Sequence, residues 1–253
     1  MNDSKVLLNT ADKVATITLN RPEKRNALDD DMVALLKQSF SEAERDENVR
    51  VILLTGAGKD FCSGADLSVL QKIAEGSILD NWEDANSLKD LFIQMRLLRK
   101  PIVAAVRGRA LAGGCGLATA CDIILAARSS QFGYPEVKIG FIPAIVMAIL
   151  RRSVSEKRAF ELITRGETFS AEQAERYGLI NHVFDDDVFD SDVQRYLDGF
   201  NSTSASAVML SKYLLYQMDG MTFESALRSG ADLNAIARLT DDCKKGIAQF
   251  LKK

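Results

Sequence analysis

Three apolar runs constrain the fold of this chain more than any other feature of its 253 residues. The runs read VRVILLT at 49–55, IVAAV at 102–106 and DIILAA at 122–127. A short run without polar alternation is typical of a strand that is buried on both faces. Segments with helical character separate the three runs. This order of strands and helices predicts an α/β fold in which helices cover a sheet.

The chain outside these runs supplies a hairpin and further helices. Lys5–Leu8 and Val14–Leu19 alternate like strands and are expected to pair across the turn NTADK. Three aspartates at 29–31 suit the N-cap and first turn of a helix, because they accept hydrogen bonds from free N–H groups there. A polar helical segment is expected over residues 67–99, with Trp82 on its apolar side.

The chain becomes predominantly helical after Arg128. Ser155 and Ser170 are expected as helix N-caps, and Gly166 and Gly178 as the residues that end those helices. The last part of the chain predicts three or four amphipathic helices and no strand. No linker or low-complexity tract divides the sequence, so we expect one α/β core that carries a helical C-terminal region.

Composition excludes several classes of function. A net charge of −3 offers no basic surface for nucleic acid or for an anionic membrane. No apolar window is long enough for a membrane span, and the N-terminal residues do not resemble a targeting peptide. Four cysteines without a C-x-x-C pair favour reduced thiols in a cytoplasmic protein. A single histidine makes a zinc site improbable, so no metal is expected.

Two loops with small residues are candidates for chemistry. FCSGAD at 61–66 and LAGGCG at 111–116 each follow a buried strand and begin a helix. Helix N-termini have free N–H groups, and ligands of open α/β sheets bind at the carboxyl ends of strands. Two such N–H groups directed at one point would form an oxyanion hole. Tight helix–sheet packing also requires small residues, so the residues alone leave both interpretations open.

Glu136 is the second candidate. It follows Pro135 in the segment FGYPEVKIGFIP, among apolar neighbours. Desolvation in such a setting raises a carboxyl pKa towards the range that suits a general base. A glutamate in the first turn of a helix after proline is also common for purely structural reasons. The only histidine, His182, is expected in a short strand with a structural role.

Taken together, these segments resemble the enoyl-CoA hydratase/isomerase family, also called the crotonase superfamily. The resemblance covers nearly the whole chain and is carried by five segments in order: ITLNRPEKRNAL (17–28), VILLTGAGKDFCSGADL (51–67), KPIVAAVRGRALAGGCGLATACDIILAA (100–127), FGYPEVKIGFIP (132–143) and TRGETFSAEQAERYGLINHVF (164–184). It implies a crotonase-like (ClpP/crotonase) spiral of ββα units over residues 1–190, with a helical trimerisation region over 191–253. It also implies homotrimers, often paired into hexamers.

The resemblance also implies a site for a coenzyme A thioester. The N–H groups of Ala65 and Gly113 would hold the thioester carbonyl oxygen. Lys24 and Arg25 would lie near the phosphates and the adenosine of the coenzyme. Further positions implied in the substrate site are the main chain at Ala27 together with Ser63, Gly64, Asp66, Leu67, Gly114 and Gly116. No cofactor is implied, since coenzyme A is part of the substrate.

One position departs from the pattern of the family. Typical hydratases use two glutamates around a water molecule; the second matches Glu136, but the first falls on Gly116. A single glutamate is compatible with hydration of a 2-enoyl-CoA, including branched substrates of the methylglutaconyl-CoA type. It is also compatible with a Δ3,Δ2-enoyl-CoA isomerase, and a non-catalytic acyl-CoA-binding protein is a further alternative. Bulky side chains at Ile145 and Met147 are expected to form one wall of the acyl pocket.

Overall fold

A six-stranded sheet forms the centre of the molecule. The computed structural model describes residues 4–252; residues 1–3 and 253, which the expected domain bounds include, lie outside the described residues. The strands of this sheet are β1 (Val6–Ala11), β2 (Val14–Leu19), β3 (Val51–Gly56), β4 (Ile102–Val106), β6 (Ile123–Ala127) and β9 (His182–Phe184). They lie in the order β1-β2-β3-β4-β6-β9, with β1 antiparallel to β2 and the remaining pairs parallel. The three apolar runs of the sequence are β3, β4 and β6, as predicted.

A second, three-stranded sheet has the order β5-β7-β8 and consists of very short strands: β5 (Arg109–Leu111), β7 (Gln131–Gly133) and β8 (Thr168–Ser170). Two isolated parallel bridges, Leu28–Ala65 and Cys62–Ala110, link earlier segments of the chain in the same manner. The chain therefore repeatedly runs from a strand of the large sheet, through a short extended segment, into a helix. This repetition is the expected spiral of ββα units.

The helices surround the two sheets and form the C-terminal region. Their bounds are α1 (Asp30–Arg45), α2 (Leu67–Glu75), α3 (Ile78–Leu97), α4 (Gly113–Thr119), α5 (Ala144–Ser153), α6 (Glu156–Arg165), α7 (Ala171–Arg176), α8 (Phe189–Asp198), α9 (Ala205–Gln217), α10 (Phe223–Ala237) and α11 (Asp241–Phe250). The predicted N-caps are confirmed: Asp29 accepts a hydrogen bond from the Met32 N–H, and Ser155 and Ser170 cap α6 and α7.

The structure corrects two expectations in the N-terminal half. Strand β1 extends to Ala11, so the hairpin turns at Asp12 and Lys13, both with positive φ, and not across five residues. The expected helical segment 67–99 consists of two helices, because Ser77 begins a new helix with a capping box. Trp82 is 65% exposed and not on a buried apolar side, because the buried residues of α3 all lie in its second half.

The C-terminal helices leave many apolar side chains in contact with solvent. Phe223, Leu239, Phe250 and Leu251 are each at least 70% exposed. Helix α9 is attached to the core by Lys212, whose ammonium contacts Asp122 at 2.7 Å in a largely buried ion pair. Among the helices of residues 4–252, none combines the length and the apolar character that a membrane span requires.

Candidate active site

The two loops with small residues contact each other. A Cβ atom built on Gly64 would lie 2.8 Å from the Cβ of Ala112 and 3.5 Å from the backbone nitrogen of Gly113. Gly64 also has a φ of +97°, a conformation that other residues avoid. Only glycine therefore allows the loop before α2 to approach the start of α4 so closely. The structure places the segments of Ala65 and Gly113 side by side, as the oxyanion interpretation requires.

Hydrogen bonds around Ala65 fix the direction of its N–H group. The Leu28 N–H donates to the carbonyl oxygen of Gly64 at 2.7 Å, and the Asp66 N–H donates to the carbonyl of Leu28 at 2.8 Å. The Gly64–Ala65 peptide is planar and trans, so its N–H points opposite to its carbonyl and away from Leu28. Within residues 4–252, the Ala65 N–H has no hydrogen-bond acceptor. Ala65 is exposed, so a ligand can reach this donor.

The start of α4 has a second free donor. The first intrahelical bond of α4 runs from the Gly116 N–H to the Ala112 carbonyl, and no side chain caps the helix. Within the described part of the chain, the Gly113 N–H has no acceptor. Ala112 has a φ of +50°, which is strained for alanine at a cost of about 1–3 kcal/mol. Backbone strain of this kind is common at functional sites, and here it orients the first turn of α4.

The three glycines at the start of α4 have different surroundings. A Cβ on Gly113 would meet no atom within 4 Å, whereas a Cβ on Gly114 would lie 2.4 Å from the carbonyl oxygen of Cys62. A Cβ on Gly116 would lie 2.3 Å from Cγ2 of Val146, a buried residue of α5. Gly114 thus permits close packing of the two loops. Val146 fills the space into which any side chain at position 116 would project.

Glu136 has the features of a general base. It lies in a 3-10 helix over Pro135–Ile139, directly after Pro135. Its Oε2 atom is buried and has no hydrogen-bond partner among the described residues. Burial raises the pKa of this carboxyl above its usual 4.5, and a bond to its own backbone N–H only partly opposes the rise. A buried, unpaired carboxylate oxygen costs stability, so its presence indicates a function.

Glu136 lies close to the start of α4. The Ala112 N–H donates to the carbonyl of Gly133 at 2.8 Å, which places the segment that leads to Glu136 against the start of α4. Buried polar contacts support the same region: the hydroxyls of Thr119 and Tyr134 are 2.9 Å apart. Burial chiefly, and the neighbouring Glu136 charge to a smaller extent, raise the pKa of the Cys115 thiol to about 12. The Cys115 thiol is therefore neutral near neutral pH.

Three of the residues expected to bind the substrate, Lys24, Arg25 and Ala27, lie on the loop after β2, whereas Ser63 and Leu67 follow β3. Lys24 and Arg25 are exposed and free to contact an anionic ligand, and Arg25 has a φ of +52°. The Ala27 carbonyl accepts a hydrogen bond from the Arg21 guanidinium at 2.9 Å. Ser63 is half-buried, and Leu67 is 79% exposed.

Three residues of the site region are not evident from the sequence. Asn26 is fully buried; its amide donates to the carbonyls of Ala57 and Asp60 and attaches the loop after β2 to the turn after β3. Arg21 pairs with both Asp29 and Asp66. Val146 contacts Gly116 from another helix. These contacts join residues far apart in the sequence, so the sequence alone does not predict them. The one local indication is Asn26, because asparagine is common in turns.

The spiral fold and these loops define a crotonase-type enzyme. An enoyl-CoA hydratase of Mycobacterium smegmatis has the same fold, with a TM-score of 0.94 and 30% sequence identity over 99% of this chain and 97% of that one. The expected fold is thereby confirmed.

The chain belongs to the enoyl-CoA hydratase/isomerase family, whose model matches residues 9–253. A candidate enoyl-CoA hydratase of Thermus thermophilus is 39% identical over 95% of each chain. The 2,3-dehydroadipyl-CoA hydratase of Escherichia coli is 31% identical over 99% of this chain and 96% of its own. The protein is therefore an enzyme of the enoyl-CoA hydratase/isomerase family.

Proposed function

We propose that the protein hydrates 2-enoyl-CoA thioesters, or dehydrates the corresponding 3-hydroxyacyl-CoA, with Glu136 as its one acid–base group. The observation that carries this proposal is the buried, unpaired Oε2 of Glu136 near the start of α4, whose free Gly113 N–H lies beside the loop with the free Ala65 N–H. Burial raises the pKa of the Glu136 carboxyl, which makes it a better acceptor of a proton than a free carboxylate while it can still return that proton. The family membership of the chain supports the same class of reaction.

In this mechanism the thioester carbonyl oxygen accepts hydrogen bonds from the N–H groups of Ala65 and Gly113. The Glu136 carboxylate takes a proton from water while the water oxygen bonds to C3 of the substrate. The electron pair of the C2–C3 double bond moves towards C1, and the carbonyl oxygen becomes an enolate oxygen. The protonated Glu136 then gives its proton to C2 and returns to the carboxylate. Loss of one oxyanion donor typically costs about 2.7–4 kcal/mol of transition-state stabilisation.

Lys24 and Arg25 are proposed to contact the phosphates and adenosine of coenzyme A. Their exposure and positive charge suit a polyanionic ligand. The proposed steps move protons and one electron pair within the substrate, so they require no cofactor beyond the coenzyme A of the substrate itself.

A second candidate reaction is isomerisation of a 3-enoyl-CoA to a 2-enoyl-CoA. It is favoured by the contact between Gly116 and Val146, which leaves Glu136 without a carboxylate partner at that position. In this reaction Glu136 would move one proton between C4 and C2, and no water would be consumed. Incubation with a 3-enoyl-CoA in deuterated water separates the two reactions. An isomerase yields 2-enoyl-CoA without 3-hydroxyacyl-CoA.

The apolar character of α5 supports a proposal on the acyl group. Met147 and Ile142 are exposed, Ile145 is half-buried, and Val146 closes the space beside Gly116. We propose a short or branched acyl chain, such as one of the methylglutaconyl-CoA type. Initial rates with linear, branched and dicarboxylic 2-enoyl-CoA substrates test this point, and a strong preference for long linear chains would contradict it.

The exposed apolar side chains of the C-terminal helices support a proposed homotrimer, or a hexamer built from two trimers. Apolar surface of this extent is typical of an interaction site. Light scattering after size-exclusion chromatography measures the assembly, and a monomer at micromolar concentration would contradict it. The proposed location is the cytoplasm, where the thiols of Cys62, Cys115 and Cys121, which form no disulfide in the described structure, would stay reduced.

The test of the proposed function is hydratase activity of the wild type and of Glu136→Gln on a panel of 2-enoyl-CoA thioesters. The wild type should form 3-hydroxyacyl-CoA, and the variant should bind the same thioesters but turn them over far more slowly. Full activity of the variant would show that Glu136 does not have the proposed role. Binding without any turnover by the wild type would instead indicate an acyl-CoA-binding protein.

A further inference from the structure

Arg21 connects the two segments that surround Ala65. Its Nη1 is 2.9 Å from Oδ2 of Asp29, and its Nη2 is 2.9 Å from Oδ2 of Asp66. The three side chains are largely buried, with exposed fractions of 14%, 15% and 7%. Nη1 also donates to the Ala27 carbonyl at 2.9 Å. A planar guanidinium can hold these acceptors in fixed directions, which a lysine ammonium cannot do.

Both carboxylates also begin a helix. Asp29 caps α1 by accepting a hydrogen bond from the Met32 N–H, and Asp66 caps α2 by accepting one from the Ser68 N–H. The same Oδ1 of Asp66 accepts a bond from the Ser68 hydroxyl. Arg21 therefore holds the starts of α1 and α2 at a fixed distance from each other. These bonds to Ser68 and the Arg21 charge lower the pKa of Asp66, so its carboxylate stays ionised at neutral pH.

Ala65 lies inside this set of contacts. The peptide before it is bonded to Leu28 through the Gly64 carbonyl, and the residue after it is Asp66, which is bonded to Leu28 through its N–H and to Arg21 through its side chain. Because a peptide unit is planar, a rotation of this segment turns the Ala65 N–H by the same angle. Hydrogen bonds weaken steeply with misalignment, so a small rotation reduces the donor strength towards a ligand.

We propose that Arg21 is a positioning residue that sets the direction of the Ala65 N–H and so controls how strongly the site polarises a thioester carbonyl. The inference rests on the proposed function, since it assumes that the carbonyl oxygen lies at Ala65 and Gly113. Arg21 touches no reacting atom in this scheme. It acts through Asp66 on one side of Ala65 and through the Ala27–Asp29 segment on the other side.

The experiment uses the full chain and butyryl-CoA labelled with carbon-13 at the thioester carbonyl. Butyryl-CoA has no double bond to hydrate, so its carbonyl stretching frequency can be measured by infrared difference spectroscopy in the bound state. The variants are Arg21→Gln, Arg21→Lys and Asp66→Asn. Asparagine is also a good N-cap, so the last variant keeps α2 capped and weakens only the contact with Arg21. Val193→Ala, in the remote helix α8, is the control for a general loss of stability.

The wild type should show a carbonyl band shifted to lower frequency on binding. Arg21→Gln and Asp66→Asn should lose most of that shift and should lower kcat on a 2-enoyl-CoA by at least about tenfold, a part of the loss expected for a missing donor. Their KM should change by much less, and Arg21→Lys should recover only a fraction of kcat. Val193→Ala should melt at a lower temperature and keep both the band shift and kcat.

Two results would overturn the proposed role of Arg21. The first leaves the proposed function intact, and the second overturns the proposed oxyanion site as well. If the wild type shifts the carbonyl band but Asp66→Asn and Arg21→Gln do so equally, Arg21 does not position the Ala65 N–H, and the proposed function stands. If the wild type binds butyryl-CoA without any band shift, the carbonyl is not held at these N–H groups. The proposed oxyanion site then fails, and the role of Arg21 fails with it.

Discussion

Replacement of Glu136 by glutamine is expected to lower activity and to raise stability at the same time. The substitution keeps the shape of the side chain and removes its ability to carry a proton. A single acid–base group contributes about 10²–10⁴ in rate. Glu136 both takes and returns the proton in the proposed mechanism, so we expect a loss in the upper part of that range, about 10³–10⁴ in kcat. This corresponds to a barrier increase of roughly 4–5.5 kcal/mol.

The gain in stability follows from the surroundings of the carboxylate. Oε2 is buried without a partner, and a buried unpaired polar atom costs about 1–3 kcal/mol, more when it is charged. Glutamine leaves a neutral group in the same place, so only part of this cost is recovered, on the order of 1 kcal/mol. For a chain of this length that is a Tm increase of ~2–4 °C.

The assay follows the loss of absorbance of the conjugated thioester, and thermal unfolding is measured at neutral pH in the same buffer. Glu167→Gln is the matched control, since Glu167 is 61% exposed and pairs with Arg165 at the surface. It should change neither kcat nor Tm appreciably. A Glu136→Gln variant that retained kcat within about threefold would refute the acid–base role, because a proton-transfer group cannot be dispensable at that level.

Three further predictions concern the pKa of Glu136, the two glycines at the start of α4, and the ion pair between Lys212 and Asp122. Because burial raises the pKa of Glu136, the acid limb of a kcat/KM pH profile should lie above 4.5, and the Tm advantage of Glu136→Gln should vanish as pH falls below that limb, where the wild-type carboxyl is protonated. Gly114→Ala should lower Tm strongly because its Cβ would lie 2.4 Å from a carbonyl oxygen, whereas Gly113→Ala, with open space around its Cβ, should retain Tm. Lys212→Met should destabilise the fold, measured by urea unfolding, because it removes the ammonium partner of the largely buried Asp122 carboxylate. The loss should be smaller than the roughly 3–5 kcal/mol of a fully uncompensated buried charge, since Asp122 keeps hydrogen bonds from the Ile102 N–H and the Tyr216 hydroxyl.

Local signals in the sequence predicted much of the fold. The apolar runs are β3, β4 and β6, and Asp29, Ser155 and Ser170 cap the helices that were expected after them. These features depend on residues within one or two turns of each other. The strands β5 and β7 have three residues each and show no periodic pattern, so they were not predicted, whereas the equally short β9 was expected around His182.

The site was predictable only in part because its geometry depends on distant contacts. For Glu136, the sequence left a structural and a catalytic interpretation open, and the structure shows features of both. It lies in the first turn after Pro135, and one carboxylate oxygen is buried without a partner. The contacts of Arg21 with Asp66 and of Val146 with Gly116 join different units of the spiral. No spacing rule predicts which residues such units bring together.

The most direct test of hydration by Glu136 is the product that the wild type forms from 2-butenoyl-CoA in oxygen-18 water. We expect 3-hydroxybutanoyl-CoA that carries one oxygen-18 atom at C3, formed at a rate that depends on Glu136. Mass spectrometry of the hydrolysed acyl group measures this label. The proposed hydration would be contradicted if no labelled hydroxyacyl product formed from this or any other 2-enoyl-CoA while the same enzyme converted 3-butenoyl-CoA to 2-butenoyl-CoA.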